Sequence, residues 1–197
     1  MSNPNYTAVL FVLDVSGSMG GRYEFMEDAM HMMLEQQARK LAGYITVDIG
    51  YFDDSAYMGE VDADPMTVHL SMYAGGGTQI YDTTAAIVKQ FQARLDALPE
   101  HEQPGHVVVI IASDGESSPP NTDAGYKINH QISALTKAGW DFAFLAAGAN
   151  LTRVMQTMGM DSKQCIQEDF TPKGMERMAE RLGAFISMTR AGERAHF

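Results

Sequence analysis

The feature that most constrains the fold of this sequence is the alternation of short apolar runs with stretches whose apolar residues recur at helical spacing. Strands are predicted over residues 7–13, 45–54, 67–71, 106–113, 141–148 and 165–169. Helices are predicted over residues 23–41, 80–98 and 124–138, after Asn150, and after Thr171. The runs 7–13 and 106–113 are apolar almost without interruption, which is typical of strands covered on both faces.

This alternation predicts the α/β fold class, with a doubly wound, mostly parallel (Rossmann-like) sheet flanked by helices. The length of 197 residues suits a single domain over residues 1–197. Ligands of such sheets bind beyond the carboxyl ends of the strands, where the strand order reverses. We expect the strands at 7–13 and 106–112 to flank that point, so functional side chains should follow these two strands.

The charge balance argues against two classes of partner. The chain has 14 basic and 25 acidic residues, a net charge of −11 and no basic stripe, so neither nucleic acid nor an anionic membrane surface is an expected partner. Cys165 is the only cysteine, which leaves no intrachain disulfide and no thiolate zinc cluster to expect. No apolar stretch reaches the roughly 18 residues of a membrane span, and the N-terminal region lacks the basic start of a signal peptide. A cytoplasmic protein is therefore expected.

Three short polar segments stand where a ligand site of this fold should lie. DVSGS places Asp14, Ser16 and Ser18 directly behind the first strand, and their period-two spacing points the three side chains the same way if the chain stays near-extended. ASDGESS places Asp114 at the end of the most apolar strand, and the loop AGGGTQIYDT delivers Thr78 just before a helix. We expect these five side chains to meet at one edge of the sheet.

The chemistry of this set indicates a metal site. Hydroxyl and carboxylate oxygens are hard donors, which suit Mg²⁺ or Mn²⁺ better than soft metals; Ca²⁺ is a further alternative. Mg²⁺ takes six ligands and usually keeps some waters. Because only two carboxylates would surround the dication, it would stay electrophilic enough to attract a carboxylate from outside.

The three segments together resemble the metal-ion-dependent adhesion site (MIDAS) of von Willebrand factor type A (vWA) domains. The family pattern D-x-S-x-S matches Asp14, Ser16 and Ser18, the family's separate threonine matches Thr78, and its separate aspartate matches Asp114. The resemblance implies that the three hydroxyls contact Mg²⁺ directly and that the two aspartates act partly through water. It also implies a protein-binding module without catalysis, in which an Asp or Glu of the partner completes the coordination.

The resemblance extends over most of the chain, from about residue 7 to residue 189, and so implies one vWA-like domain with no appended catalytic domain. The stretch GWDFAFLAAGAN at residues 139–150 is similar to small bacterial and phage members of the family. The sequence does not indicate the partner or the oligomeric state.

Four further residues are candidates for contacts with a partner at the rim of the site. They are Asp53, at the end of the second main strand, Tyr81, just after Thr78, and Glu116 and Ser117, just after Asp114. Asp53 could equally belong to a solvated loop.

Other interpretations of the same residues stay open at this stage. DVSGS could be a polar turn that caps a helix, and the triple glycine before Thr78 could cradle a phosphate, although no Walker lysine follows it. A Mg²⁺-dependent hydrolase or phosphoryl-transfer enzyme could use the same oxygen cluster. Such chemistry usually needs a cation to stabilise the transferred group, and Arg22 is the one basic residue beside the three segments. A metal site that is vestigial or purely structural is the third alternative.

Overall fold

The computed structural model describes residues 2–40, 43–71, 73, 75–114, 122–146, 151–169 and 171–197. Among these residues the strands are β1 (Asn3–Asp14), β2 (Tyr44–Phe52), β3 (Ala56–Met58), β4 (Pro104–Ser113), β5 (Asp141–Ala146) and β6 (Cys165–Gln167). The helices are α1 (Tyr23–Lys40), α2 (Ile80–Asp96), α3 (Thr122–Lys137), α4 (Leu151–Met158) and α5 (Pro172–Arg190). The predicted alternation of strands and helices is confirmed.

The strands form one sheet in the order β3-β2-β1-β4-β5-β6. All neighbouring pairs are parallel except β2 with β3, which is antiparallel. The chain leaves β1 toward β2 on one side and returns to β4 on the other, so the strand order reverses between β1 and β4. This is the point that the sequence predicts, and it is where ligands of doubly wound sheets bind.

Two apolar layers cover the sheet, as expected for strands with continuous apolar runs. On one face α1 and α5 pack against alternate residues of β1 and β4, such as Phe11 and Ile110. On the other face α2, α3 and α4 pack against the intervening residues, such as Leu10 and Val109. None of the described helices combines the length and apolarity needed to cross a bilayer.

One predicted strand is wrong. Residues 67–71 form no strand; instead, the described chain has the short antiparallel strand β3 at the sheet edge. The outer edge of β2 is already hydrogen-bonded by the segment that follows β3, because Val47 N donates to Ala63 O and Ile49 N donates to Glu60 O. Residues 67–71 therefore find the edge of β2 occupied, and Val68 and Leu70 are buried as coil.

Candidate metal centre

The first segment of the candidate site is a turn at the carboxyl end of β1. Asp14 and Ser16 are each 1% exposed, and the backbone N–H of Ser16 donates to Asp14 Oδ1 at 2.9 Å. A 3₁₀ turn follows at Gly17–Met19. It brings Ser18 back toward Ser16, so that the two Oγ atoms lie 3.1 Å apart. The turn thus places two hydroxyls beside one buried carboxylate.

The second segment lies at the carboxyl end of the neighbouring strand β4. Asp114 is 2% exposed, and Ser113, just before it, donates from Oγ to Asp14 Oδ2 at 2.6 Å. The sequence interpretation missed Ser113, although its place beside Asp114 at a strand end was a signal for such a link. The structure thus brings both predicted carboxylates to the point where the strand order reverses.

The third segment, the glycine loop before α2, is joined to the first by main-chain hydrogen bonds. Gly75 N donates to Val15 O at 3.0 Å, and Gly17 N donates to Gly76 O at 3.3 Å. Gly76 has a φ of 69°, a conformation that glycine adopts without the strain of a side chain. Thr78 follows and is buried, with 7% exposure. All five predicted metal-site residues therefore belong to segments that meet at one edge of the sheet.

The glycine loop is also fixed from the side by a carboxylate that the sequence places beside Asp53. Gly77 N donates to Asp54 Oδ2 at 2.8 Å, and a Cβ atom at Gly77 would lie 2.6 Å from Asp54 Oδ1. Asp54 therefore acts as a clamp on the loop that positions Thr78. The sequence did not indicate this role.

We expect Gly77→Ala to weaken the binding of Mn²⁺ by about tenfold, because the new methyl group pushes Asp54 away and moves Thr78. Gly75→Ala is the matched control, since a Cβ at Gly75 would meet nothing within 4 Å. Isothermal titration of both variants with Mn²⁺ measures the difference. Equal affinities would show that the clamp does not position the loop.

The electrostatics of the site follow from its burial. Loss of water raises the pKa of Asp14, although hydrogen bonds from Ser113 and Ser16 oppose the rise, and the nearby charge of Asp114 adds to it. Burial, together with the charges of Asp14 and Asp114, raises the pKa of Tyr23 to about 12. Tyr23 therefore stays protonated and donates to Ser16 O at 3.2 Å. The two desolvated carboxylates of Asp14 and Asp114 lie close together and therefore favour the binding of a cation.

One cation of the protein itself reaches the site. Arg22 Nη1 lies 3.0 Å from Asp114 Oδ2, and the Arg22 side chain is 39% exposed while that of Asp114 is 1% exposed. The sequence placed Arg22 close to the motif, but the two glycines before it made it impossible to predict which way its side chain points.

The donors present fit a hard divalent cation. They offer carboxylate and hydroxyl oxygens, which Mg²⁺ and Mn²⁺ prefer. Within the described part of the chain, no group of three or more His, Cys, Asp or Glu residues could hold a metal ion. A metal at this edge would therefore depend on the hydroxyls of Ser16, Ser18 and Thr78 as well as on the two carboxylates.

The four candidate rim residues differ in where they lie. Asp53 is partly exposed, and its Oδ1 accepts hydrogen bonds from the N–H and the hydroxyl of Ser55, so it stabilises its own turn. Tyr81 belongs to the first turn of α2, is 3% exposed and packs in the core, which does not fit a contact with a partner. Glu116 and Ser117 lie outside the described residues.

The sequence matches no protein-family model and no curated protein sequence. Similar solved structures include proximal thread matrix protein 1 from the mussel byssus, with 16% identity and a TM-score of 0.62 over 90% of this chain and 45% of that one. A second structure of the mussel protein has a zinc-occupied MIDAS motif, with 16% identity and a TM-score of 0.61 over 98% of this chain and 48% of that one. An aerotolerance-related membrane protein from Bacteroides fragilis has 12% identity and a TM-score of 0.59 over 94% and 99% of the two chains.

These similarities show the fold. The chain has a mostly parallel, vWA-like α/β fold with helices on both faces of the sheet, as the sequence predicts. It spans about half the length of the mussel byssus protein. In one structure of that mussel protein the MIDAS motif is occupied by zinc.

Proposed function

We propose that this protein is a Mg²⁺-dependent protein-binding module, in which an Asp or Glu of a partner completes the coordination of the ion. We further propose that it is not an enzyme, that residues 1–197 act as one domain, and that it works in the cytoplasm. The observation that carries the proposal is the meeting of three separate oxygen-bearing segments at the reversal point of the sheet. There Ser16 Oγ lies 3.1 Å from Ser18 Oγ, Ser113 Oγ donates to Asp14 Oδ2, and the glycine loop before Thr78 is hydrogen-bonded to the first segment.

Each group of residues has a part in this function. Ser16, Ser18 and Thr78 would hold the ion through their hydroxyls, and Asp14 and Asp114 would balance its charge and hold its waters. The bound ion would supply a positive centre for an incoming carboxylate. Hydrogen bonds from Ser113 Oγ at 2.6 Å and Ser16 N at 2.9 Å fix the orientation of the Asp14 carboxylate. The carboxylate therefore needs no reorientation when the ion binds.

The balance of charges supports a carboxylate as the partner group. The charges of two carboxylates and one dication cancel, and the hydroxyls and waters add none. An added carboxylate is therefore not repelled by an excess of negative charge. The names of the similar proteins describe a matrix protein and a membrane protein rather than enzymes, which agrees with a binding role.

We expect a random peptide library that is panned on the immobilised protein in Mg²⁺ and eluted with EDTA to yield peptides with Asp or Glu at one fixed position. Replacing that acid by its amide should weaken binding by about 100-fold, because the amide is a poor substitute for a charged metal ligand. The control is the immobilised Ser16→Ala variant, which lacks one of the proposed hydroxyl ligands of the metal. It should retain no peptide that EDTA elutes. Peptides without a carboxylate, or peptides that stay bound in EDTA, would contradict the proposal.

A further inference from the structure

We propose that Arg22 is an internal counter-ion that competes with the divalent cation for Asp114 and thereby lowers the metal affinity of the site. This inference rests on the proposed function and adds a regulator of the same site. Arg22 lies outside the residues that match the MIDAS pattern. Its role follows from its contact with Asp114, from the burial of that carboxylate, and from the partial exposure of the Arg22 side chain to solvent.

The contact is a charge-assisted hydrogen bond to a carboxylate that is almost without solvent. Arg22 Nη1 lies 3.0 Å from Asp114 Oδ2, and the Asp114 side chain is only 1% exposed. A buried carboxylate without a positive partner is strongly unfavourable. In the metal-free protein the guanidinium of Arg22 supplies that positive charge, so the site is stable before any ion binds.

The same contact opposes the metal. An arriving dication meets a positive guanidinium beside one of the two carboxylates that it needs, and two positive charges in a weakly solvated place repel each other. Metal binding must therefore displace the guanidinium from Asp114, and the cost of breaking this contact lowers the affinity for the ion.

The main chain of Arg22 is fixed by hydrogen bonds, whereas its side chain is partly exposed to solvent. Arg22 N donates to Met19 O, and Arg22 O accepts from Met26 N, so the main chain is fixed at the start of α1. The side chain, however, is 39% exposed, so water can solvate a guanidinium that leaves Asp114. Exchange of the arginine for the ion therefore needs no change in the fold.

The decisive experiment compares Arg22→Gln with Arg39→Gln by isothermal titration with Mn²⁺. Arg39 lies in the last turn of α1, at the opposite end of the helix from Arg22, and it pairs with Glu35 at 3.3 Å on the exposed surface, so its variant loses the same charge far from the site. We expect Arg22→Gln to bind Mn²⁺ about tenfold more tightly than the wild type and Arg39→Gln to bind it within about twofold.

Stability should change in the opposite direction. In EDTA, Arg22→Gln should melt at a lower temperature than the wild type, because Asp114 has lost its counter-ion, and its gain in Tm on adding Mn²⁺ should be larger. If the wild type binds Mn²⁺ and Arg22→Gln binds it no more tightly, the inference is wrong while the proposed function stands. If neither protein binds Mn²⁺, both are wrong.

A measurement on the unmodified protein removes any dependence on how the variant folds. The side-chain Nε–H signal of Arg22, assigned by ¹⁵N NMR, should move toward the position of a solvated arginine when Mg²⁺ is added. An unchanged Arg22 signal in a protein whose Tm responds to Mg²⁺ would overturn the competition.

Discussion

Asp14→Asn is expected to weaken the binding of Mg²⁺ and Mn²⁺ by about 100-fold, because it removes one of the two charges that hold the ion. The amide keeps an oxygen that can accept from Ser16 N, the contact that Asp14 Oδ1 makes at 2.9 Å. In EDTA the variant should be at least as stable as the wild type, since burial already disfavours the charged form of Asp14 and raises its pKa. Titration calorimetry and the melting temperature with and without Mg²⁺ measure the two effects.

Asp82→Asn is the matched control for this prediction. Asp82 lies in the first turn of α2, close after Thr78, and is exposed, so its variant loses one negative charge from the same edge of the sheet. It should change the affinity for Mn²⁺ by less than about threefold. A large loss in both variants would mean that the general field of the edge, and not Asp14 itself, attracts the ion.

Arg94→Met is expected to destabilise the protein by about 3 kcal/mol or more, because it leaves a buried carboxylate without a positive partner. Arg94 donates two hydrogen bonds to Asp48, from Nε to Oδ2 at 2.8 Å and from Nη2 to Oδ1 at 2.6 Å. The Asp48 side chain is 1% exposed, and burial raises its pKa despite the attraction of Arg94. Urea unfolding of the variant measures the loss.

Two comparisons identify the cause of this loss. Arg39→Met removes an exposed ion pair with Glu35 and should cost less than about 1 kcal/mol. The double variant Asp48→Leu/Arg94→Met removes the buried charge together with its partner and should recover most of the stability. If the double variant were as unstable as Arg94→Met alone, packing by Arg94 rather than the unpaired charge would explain the loss.

Much of the fold could be predicted from the sequence because periodicity is a local signal. Strands such as β4 are continuous apolar runs, and the start of α5 is marked by Thr171, whose side chain accepts from Gly174 N at 3.1 Å as a helix cap. Strand β3 could not be predicted, because its three residues are too few to show a period. Residues 67–71 have a strand-like pattern, but the preceding residues 60–63 already bond to the edge of β2, and the pattern of 67–71 itself does not show that competition.

The candidate site shows the same division between local and distant information. Asp14, Ser16 and Ser18 lie within one short segment, so the sequence could place them together. The chain does not stay extended there, however, and the 3₁₀ turn at Gly17–Met19, not the period-two spacing, brings Ser18 toward Ser16. The hydrogen bond from Ser113 to Asp14 and the ion pair of Arg22 with Asp114 join residues that are 99 and 92 positions apart. No local pattern specifies such pairs, because they depend on the register of β1 with β4 and on the path of the turn before α1.

The central position of β1 has a mechanical consequence for any partner held at the site. Strand β1 pairs with β2 from Tyr6 to Asp14 on one side and with β4 from Thr7 to Leu13 on the other. A pull on the carboxyl end of β1, directed along the strand, would load both ladders in shear, so that many hydrogen bonds must break together instead of one after another. An edge strand such as β3 would peel away under much less force. The proposed attachment point therefore lies at the end of a strand that is paired on both sides and resists tension better than an edge strand.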